Sequence, residues 1–215
     1  MDEKETGRVE AFSDGVFAVA ITLLVLNIQP PPLSDPNLLS DNGLLRYLAN
    51  QWPDLLAFIT SFATIGVMWI NHHKMFSRIT YVDNSLLSLN LLLLFIVVIF
   101  PYPTALLAQQ YAAHPEGHTA AIFYSVINFL LAVCFNLLWR YASHNNRLLR
   151  KDADTQDIAA ISRQYLYGPF INLFIFILAW INVTVCVAVI LLAALFFALP
   201  GRSSSKASQS QRREA

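Results

Sequence analysis

Five long stretches of the sequence contain no Asp, Glu, Lys or Arg. A helix that crosses the ~30 Å hydrocarbon core of a bilayer needs about 20 consecutive, mainly apolar residues. Four of the stretches suit one such helix each, and the last and longest suits two short ones. We therefore predict an all-α membrane protein with six transmembrane helices per subunit. The charge-free stretches are residues 15–34, 55–73, 84–115, 117–139 and 164–201.

The composition supports this fold class and excludes a disordered chain. Hydrophobic residues make up 56% of the 215 residues and charged residues only 13%, whereas soluble domains contain about 25% charged residues. A soluble domain could not hide so much apolar surface from water. The net charge is zero, so no overall electrostatic feature indicates a nucleic-acid partner.

Polar residues and prolines set the boundaries of the later spans. The third and fourth spans are predicted over residues 84–108 and 119–142, with the prolines of 101–103 near the end of the third. The fifth and sixth spans are predicted to separate near residues 180–182. Pro169 would then lie in the first turns of the fifth span, where proline is tolerated.

The distribution of basic residues tests this topology independently. With six spans, thirteen of the fourteen Lys and Arg residues fall on one side, and only Arg46 falls on the other. Cytoplasmic loops of membrane proteins carry such an excess of Lys and Arg. Both termini are therefore predicted to be cytoplasmic, whereas five or seven spans would destroy the segregation.

The predicted domain covers residues 1–200, and residues 201–215 form a polar, disordered cytoplasmic tail. The first span is not expected to be a signal peptide, because acidic residues precede it and prolines follow it. Those prolines are predicted to begin an extended outer loop over residues 30–52. The loop between the fourth and fifth spans carries Asp152, Asp154 and Asp157 beside its basic residues.

An aspartate lies near the start of the first span, where a carboxylate is costly unless it is hydrated or paired. In one hypothesis Asp14 stays hydrated among the headgroups. In the other, which we favour, a polar cluster orients the first helix. Trp69 and His73 of the second span are four residues apart and share a helix face, and both can donate to Asp14 or Ser13.

An uncharged stripe follows one face of the first helix, with the spacing of a helical periodicity. Lipid contact or ordinary packing would explain such a stripe as well as a special function would, because membrane helices are rich in them. Its small residues permit close approach between helices. The stripe comprises Phe12, Gly15, Val16, Val19, Thr22, Leu23 and Leu26.

The sequence offers no convincing metal site. His72 and His73 are adjacent and point about 100° apart on a helix, and no third ligand lies at zinc-ligand spacing. We therefore predict no metal and no cofactor. Cys134 and Cys186 lie inside apolar runs and are predicted to be small packing residues.

The start of the first helix resembles the signature of the transmembrane protein 175 family, the lysosomal and bacterial potassium channels. The signature is an Arg, three residues, and then Phe-Ser-Asp. The similarity continues through Gly-Val-Phe-Ala and Ala-Ile-Thr-Leu-Leu-Val-Leu, and the spacing of Trp69 and His73 also fits. In this sequence the signature consists of Arg8, Phe12, Ser13 and Asp14.

The resemblance implies a homotetramer in a bacterial cell membrane, in contact with lipid, with the first helix of each subunit lining a central pore for potassium ions. Val19, Leu23 and Leu26 would form the constriction, with Thr22 adding a hydroxyl. The family more often has Ile or Leu at the position of Val19, so this ring would be wider. A network would brace the pore helices, formed by Arg8, Phe12, Ser13, Asp14, Trp69 and His73.

Conduction through such a pore would differ from that of the common potassium filter, which uses backbone carbonyls. An aliphatic ring provides no ligand to replace lost water. Potassium holds its water less tightly than sodium, so the ring predicts modest potassium selectivity and gating by dewetting. The alternative is a proton- or ion-coupled secondary transporter, which usually has ionisable groups near the membrane midplane. An enzyme is not expected, since no nucleophile has a base and an acid beside it.

Overall fold

The structure is a computed structural model that describes residues 3–32, 38, 40–150 and 155–198. The predicted tail over residues 201–215 and the loop residues Asp152 and Asp154 lie outside the described ranges. Within them the fold is all-helical, which confirms the predicted class. The eight α-helices are α1 (Glu3–Leu23), α2 (Asp41–Asn50), α3 (Trp52–Phe76), α4 (Asn84–Ile99), α5 (Pro101–Ala113), α6 (Thr119–Ser143), α7 (Thr155–Ala179) and α8 (Val183–Ala198).

Among the described residues, four helical segments are long and apolar enough to cross a membrane. Helix α8 contains a shorter apolar stretch, Val183–Ala194. The break between α7 and α8 falls at residues 180–182, where the sequence predicts it. The count of six spans therefore stays a prediction. The four segments are Thr6–Asn27, Trp52–Phe76, Asn84–Ala113 and Thr119–Asn146.

The prolines of the third span start a helix instead of ending one. Helix α4 stops at Ile99, and α5 begins at Pro101 and continues to Ala113, five residues beyond the predicted end. Proline is suited to a first helical position, because its φ is fixed and its missing N–H is not needed there. The carbonyl of Val97 receives the N–H of Phe100 at 3.2 Å because Pro101 has none to donate.

Pro169 lies in the middle of α7, so its predicted place in the first turns is wrong. The helix starts earlier than the hydropathy indicated, at the polar residue Thr155. A proline inside a helix leaves the carbonyl four residues before it without its backbone donor. That carbonyl belongs to Tyr165, and Asn136 Nδ2 of α6 donates to it at 2.8 Å.

The predicted extended loop over residues 30–52 contains a helix, α2, and the prediction is wrong there. Ser40 caps this helix by accepting the N–H of Gly43 at 3.3 Å, and Asp41 lies in the first turn, where a negative charge favours the helix dipole. The prolines before Ser40 favoured the prediction of an extended loop. Ser40 itself, a preferred N-cap residue, was the signal that a helix starts there.

Buried hydroxyl groups link α3, α5 and α6 in the interior. Thr104 Oγ1 donates to the carbonyl of Phe100 at 2.8 Å, and Ser61 Oγ lies 2.7 Å from Thr104 Oγ1 and 3.0 Å from Tyr124 Oη. Since Thr104 has given its only hydrogen to Phe100, Ser61 donates to Thr104 and Tyr124 donates to Ser61. All three hydroxyl groups are thus satisfied without water.

A small clamp joins the α3–α4 connection to the segment after α6. Thr6 Oγ1 of α1 donates to the carbonyl of Thr80 at 2.9 Å, and Thr80 N–H donates to the carbonyl of Leu148 at 2.9 Å. Ile79 and Leu149 form an isolated antiparallel bridge. The start of α1 is therefore fixed to both connections at this end of the bundle.

Asp83 is the charged centre of this clamp. Its Oδ1 caps α4 by accepting the N–H of Leu86 at 2.9 Å, while Oδ2 accepts from Tyr141 Oη at 2.7 Å and from Arg147 Nη2 at 2.8 Å. Burial disfavours the carboxylate, but these hydrogen bonds and the charge of Arg147 outweigh it. The pKa of Asp83 is consequently lower than its ordinary value of 3.8.

We expect Asp83→Ala to lower the free energy of unfolding by about 1–2 kcal/mol, because it removes a helix cap and two further hydrogen bonds. The lowered pKa makes this contribution complete above the ordinary value of 3.8, and it is lost as the pH falls through the folded-state pKa. Unfolding in detergent micelles across this pH range measures it. Asp41→Ala, in the first turn of the exposed helix α2, is the control. An equal loss in both variants would contradict the assignment.

Candidate functional site

Helix α1 has one buried face and one exposed face. The buried face packs against α3 and α4. It consists of five side chains that are at most 7% exposed. They are Thr6, Ser13, Phe17, Ala20 and Leu24.

The residues of the predicted constriction lie on the exposed face of the single chain. Val19 is 57% exposed, Leu23 39% and Leu26 61%. Val19 and Leu23 are one α-helical turn apart. Leu26 lies in a 3₁₀ turn, Leu24–Asn27, that continues α1. Since residues three apart eclipse each other in a 3₁₀ helix, Leu26 stays on the side of Leu23.

Thr22 lies on the same exposed face, and its hydroxyl group bonds to its own helix. Oγ1 is 2.9 Å from the carbonyl oxygens of both Ala18 and Val19. The hydroxyl hydrogen is therefore directed toward the backbone. The oxygen keeps its lone pairs for the outer side, which is the side that a cation would approach.

The far end of this stripe is attached to two other elements. Asn27 Nδ2 donates to the carbonyl of Pro101 at 3.1 Å, at the junction of α4 and α5. The carbonyl of Gln29 accepts from Tyr47 Oη of α2 at 3.1 Å and also from Gln51 Nε2. The end of the stripe is thus held from both sides.

Two polar pairs connect α1 with α3. Trp69 Nε1 donates to Asp14 Oδ1 at 2.8 Å, and His73 Nδ1 lies 2.6 Å from Glu10 Oε1. The structure therefore brings Trp69 to Asp14 as expected, but it pairs His73 with Glu10, which the sequence reasoning missed. Glu10 and Asp14 are four residues apart, like their partners. This equal spacing on two antiparallel helices was the signal for the second pair.

Ser13 belongs to a different, buried cluster. Its hydroxyl group donates to the carbonyl of Val9 at 2.8 Å and accepts from Asn90 Nδ2 of α4 at 3.0 Å. Asn90 Oδ1 is 2.9 Å from His72 Nε2 of α3, so that nitrogen carries the hydrogen. His72 Nδ1 is buried and has no hydrogen-bond partner among the described residues. This cluster around His72 was not predicted from the sequence.

Arg8 and Phe12 lie in neither cluster, so the predicted network is not assembled within one chain. Both are exposed and line a crevice of about 470 Å³ between α1 and α4, beside Leu87 and Leu91. They are four residues apart and share the exposed face of α1, on the opposite side of the helix from Glu10 and Asp14. In a single chain the six residues thus form two separate clusters and an exposed pair.

The remaining candidate residues have packing positions. Cys134 and Cys186 are free and buried, as expected of packing residues. Within the described ranges, no group of three His, Cys, Asp or Glu residues has the geometry to hold a metal ion.

The sequence is similar to several membrane channels. Residues 8–101 match the family described as the endosomal/lysosomal potassium channel TMEM175. A Chamaesiphon minutus protein named as a potassium channel is 46% identical over 198 residues, which are 92% of this chain and 96% of that protein. A Danio rerio protein named as an endosomal/lysosomal proton channel TMEM175 is 45% identical over 76 residues, 34% of this chain and 15% of that protein.

The fold is also similar to a solved structure. The crystal structure of a lysosomal potassium-selective channel TMEM175 homolog from Chamaesiphon minutus has 44% sequence identity and a TM-score of 0.80 to this chain. The similarity covers 91% of this chain and 97% of that one. The chain therefore belongs to the TMEM175 family, in its bacterial branch.

Proposed function

We propose that this protein is a potassium-permeable cation channel in which copies of α1 surround a shared pore. The observation that carries the proposal is the exposed, uncharged row of α1 and its 3₁₀ turn formed by Val19, Thr22, Leu23 and Leu26. None of the described residues covers this row, although the opposite face of α1 packs against α3 and α4. The family membership and the potassium channel named among the relatives support it.

The chain crosses the membrane six times in this proposal, with both termini in the cytoplasm. The four long apolar segments supply the first four spans, and α7 and α8 supply the fifth and sixth. The segregation of thirteen of fourteen basic residues supports this orientation. The family's bacterial branch and the chain's apolar helices point to the bacterial inner membrane.

The functional unit is a homotetramer, as the resemblance implies. Head-to-tail contacts between identical subunits generate a closed ring, and a ring is needed to surround a pore with one helix per subunit. Arg8 is exposed and lies on the opposite side of α1 from Glu10 and Asp14, so the brace that holds the ring includes Arg8 of one copy near Asp14 of the next. Such a pair gives the Asp14 carboxylate a counter-charge in addition to its hydrogen bond from Trp69.

Ion selection takes place at the rings of Val19, Leu23 and Leu26. Aliphatic walls give an ion no replacement for its water, and the outward lone pairs of Thr22 supply part of what is lost. Sodium, which holds water more tightly, meets the higher barrier. The wider ring at Val19 makes the preference for potassium modest, and wetting and dewetting of the rings gate the pore.

A coupled secondary transporter is less well supported. The charged side chains of the first two spans lie at their ends, at positions such as Glu10, Asp14 and Asp54, and the buried cluster around His72 is separated from the stripe by the body of α1. A transporter would instead place ionisable groups at the midplane binding site.

Purified protein in vesicles tests the proposal. Reversal potentials are measured under separate potassium, sodium and proton gradients, and single-channel recordings establish whether the currents are unitary. We expect unitary currents that reverse nearest to the potassium equilibrium potential. Saturating exchange without unitary currents would establish a transporter, and reversal at the proton potential would establish a proton channel.

We expect Leu23→Ala to raise the potassium current and to weaken the preference for potassium, since it widens the ring and lowers the barrier to wetting. A barrier lower by about 1.4 kcal/mol would raise the current about tenfold. Single-channel conductance and bi-ionic reversal potentials measure both effects. Leu92→Ala, an exposed leucine on α4, is the matched control. If both properties of Leu23→Ala stay at wild-type values, Leu23 does not line the constriction.

We expect Thr22→Val to lower the potassium-to-sodium permeability ratio, because it removes the outward lone pairs while keeping the size of the side chain. Assembly should be unchanged, since the lost bonds lie within one helix. Bi-ionic reversal potentials measure the ratio, and Thr22→Ser, which keeps the hydroxyl group, should keep it. A Thr22→Val channel with unchanged selectivity would remove Thr22 from the proposed site.

We expect Asp14→Asn to weaken the ring without changing the ion preference of the channels that remain. The variant keeps an oxygen that can accept from Trp69 but loses the negative charge, and with it the attraction to Arg8 of the next copy; a hydrogen bond to a charged group contributes about 1.5–3 kcal/mol and a neutral one about 0.5–1.5 kcal/mol. Light scattering measures the tetramer fraction, and reversal potentials measure selectivity. Asp54→Asn, at the other end of α3, is the control. Intact assembly with altered selectivity would place Asp14 in the ion path.

A further inference from the structure

Helix α1 lies over the junction of α3 and α4. Beneath Ser13, Asn90 of α4 and His72 of α3 are joined by a hydrogen bond of 2.9 Å, and α1 packs on both helices. The exposed face of α1 therefore has α3 on one side and α4 on the other. We call the exposed sides of these helices next to α1 the α3 flank and the α4 flank.

The α3 flank contains a notch. Phe62 and Trp69 are 47% and 43% exposed, and Gly66 lies between them on the same helix face. A Cβ atom added at Gly66 would meet only Ile21 Cδ1, at 4.0 Å, which is an ordinary contact. The subunit itself therefore does not require a glycine at this position.

The α4 flank carries an exposed apolar ridge with the same spacing. Its members are Leu91, Phe95 and Val98, which are 55%, 62% and 50% exposed. They follow one another by four and three residues, as do the three residues of the α3 flank, and so share a face. This ridge and the notched face are uncharged.

Two hydrogen bonds fix the relative depth of the notch and the ridge. His72 is level with Asn90, and Ser61 is level with Thr104. Gly66 lies about midway between Ser61 and His72. Val98 lies about midway between Asn90 and Thr104. Gly66 and Val98 are therefore at the same depth along the bundle.

We propose that the α3 flank of each subunit packs against the α4 flank of the next, with Val98 seated over Gly66. This inference rests on the proposed ring around α1. A symmetric ring keeps every residue at its own depth, so residues at equal depth on opposite flanks meet across a head-to-tail contact. Small residues at such contacts let helices approach closely.

A second copy fits these flanks better than lipid does. The α3 flank ends beside Asp14 and Trp69, while the α4 flank ends beside the crevice that contains Arg8. The two flanks thus end beside groups of opposite charge at the same end of the bundle, and lipid chains offer a counter-charge to neither. The fit of the notch to the ridge and the pairing of acid with base both favour one arrangement, in which the α3 flank of one subunit faces the α4 flank of the next.

Disulfide trapping in native membranes tests the contact. The double variant Gly66→Cys/Val98→Cys should form dimers, trimers and tetramers on oxidation, because a disulfide needs Cβ atoms about 3.5–4.5 Å apart. Co-expressed single variants should give dimers only, and Gly66→Cys alone should give none. Wild-type protein, oxidised in parallel, is the control for any disulfide formed by the buried Cys134 and Cys186. Gly66→Cys/Ile99→Cys, with the second cysteine turned about 100° round α4, is the matched control and should react far less.

A size-complementation experiment gives a second measurement. Gly66→Leu should break up the tetramer, although a Cβ atom at this position makes only an ordinary contact within the subunit, and Val98→Ala should restore assembly in the same chain. Light scattering reports the assembly of each variant, and α-helical circular dichroism verifies that each has folded.

The outcomes separate this inference from the proposed function. A conducting tetramer that gives no Gly66–Val98 cross-links would overturn the contact alone and leave lipid as the cover of both flanks. Dimers from Gly66→Cys alone would show that two α3 flanks face each other, which also overturns it. Wild-type protein that neither assembles nor conducts would overturn the proposed function.

Discussion

The structure depends on one constraint, which is that polar groups inside an apolar bundle need partners within the protein. Ser13, Asn90 and the Nε2 atom of His72 meet this constraint together, because they are almost fully buried and bond in a row from α1 to α4 to α3, whereas His72 Nδ1 has no partner among the described residues. This row of hydrogen bonds determines which face of α1 points inward. The opposite face, with the stripe through Val19 and Leu23, is consequently exposed in the single chain, and it is the face that we propose lines the ion path.

The same constraint governs the backbone where prolines interrupt it. At the junction of α4 and α5, the side chain of Asn27 bonds to the carbonyl of Pro101 and attaches the end of the stripe there. At Pro169, the orphaned carbonyl of Tyr165 receives Asn136 from the neighbouring helix. Pro101 and Pro169 thus each coincide with an asparagine side chain from another segment, and both prolines mark points of attachment between elements.

The sequence predicted the helical class, the break near residues 180–182 and the pairing of Asp14 with Trp69, because these follow from hydropathy and helical spacing. It did not predict α2, since prolines before a cap mask a helix start. It missed the pair of His73 with Glu10 and the role of His72, because the register between two helices is set by tertiary packing. The register between two helices can be inferred only once one residue pair is known. The equal spacing of residues on the two helices then predicts the next pair.

The polar contacts of α1 and its uncharged stripe lie on different sides of the helix, and this separation has a physical consequence. The carboxylates of Glu10 and Asp14 bond to α3 on a different side of the helix from the stripe. In the proposed pore, a cation at Val19 and Leu23 therefore meets aliphatic side chains and the oxygen of Thr22, and its passage depends on the cost of releasing water. The orientation of α1 depends instead on the contacts of its other side. Substitutions in the stripe and substitutions of the two carboxylates should therefore separate the two properties.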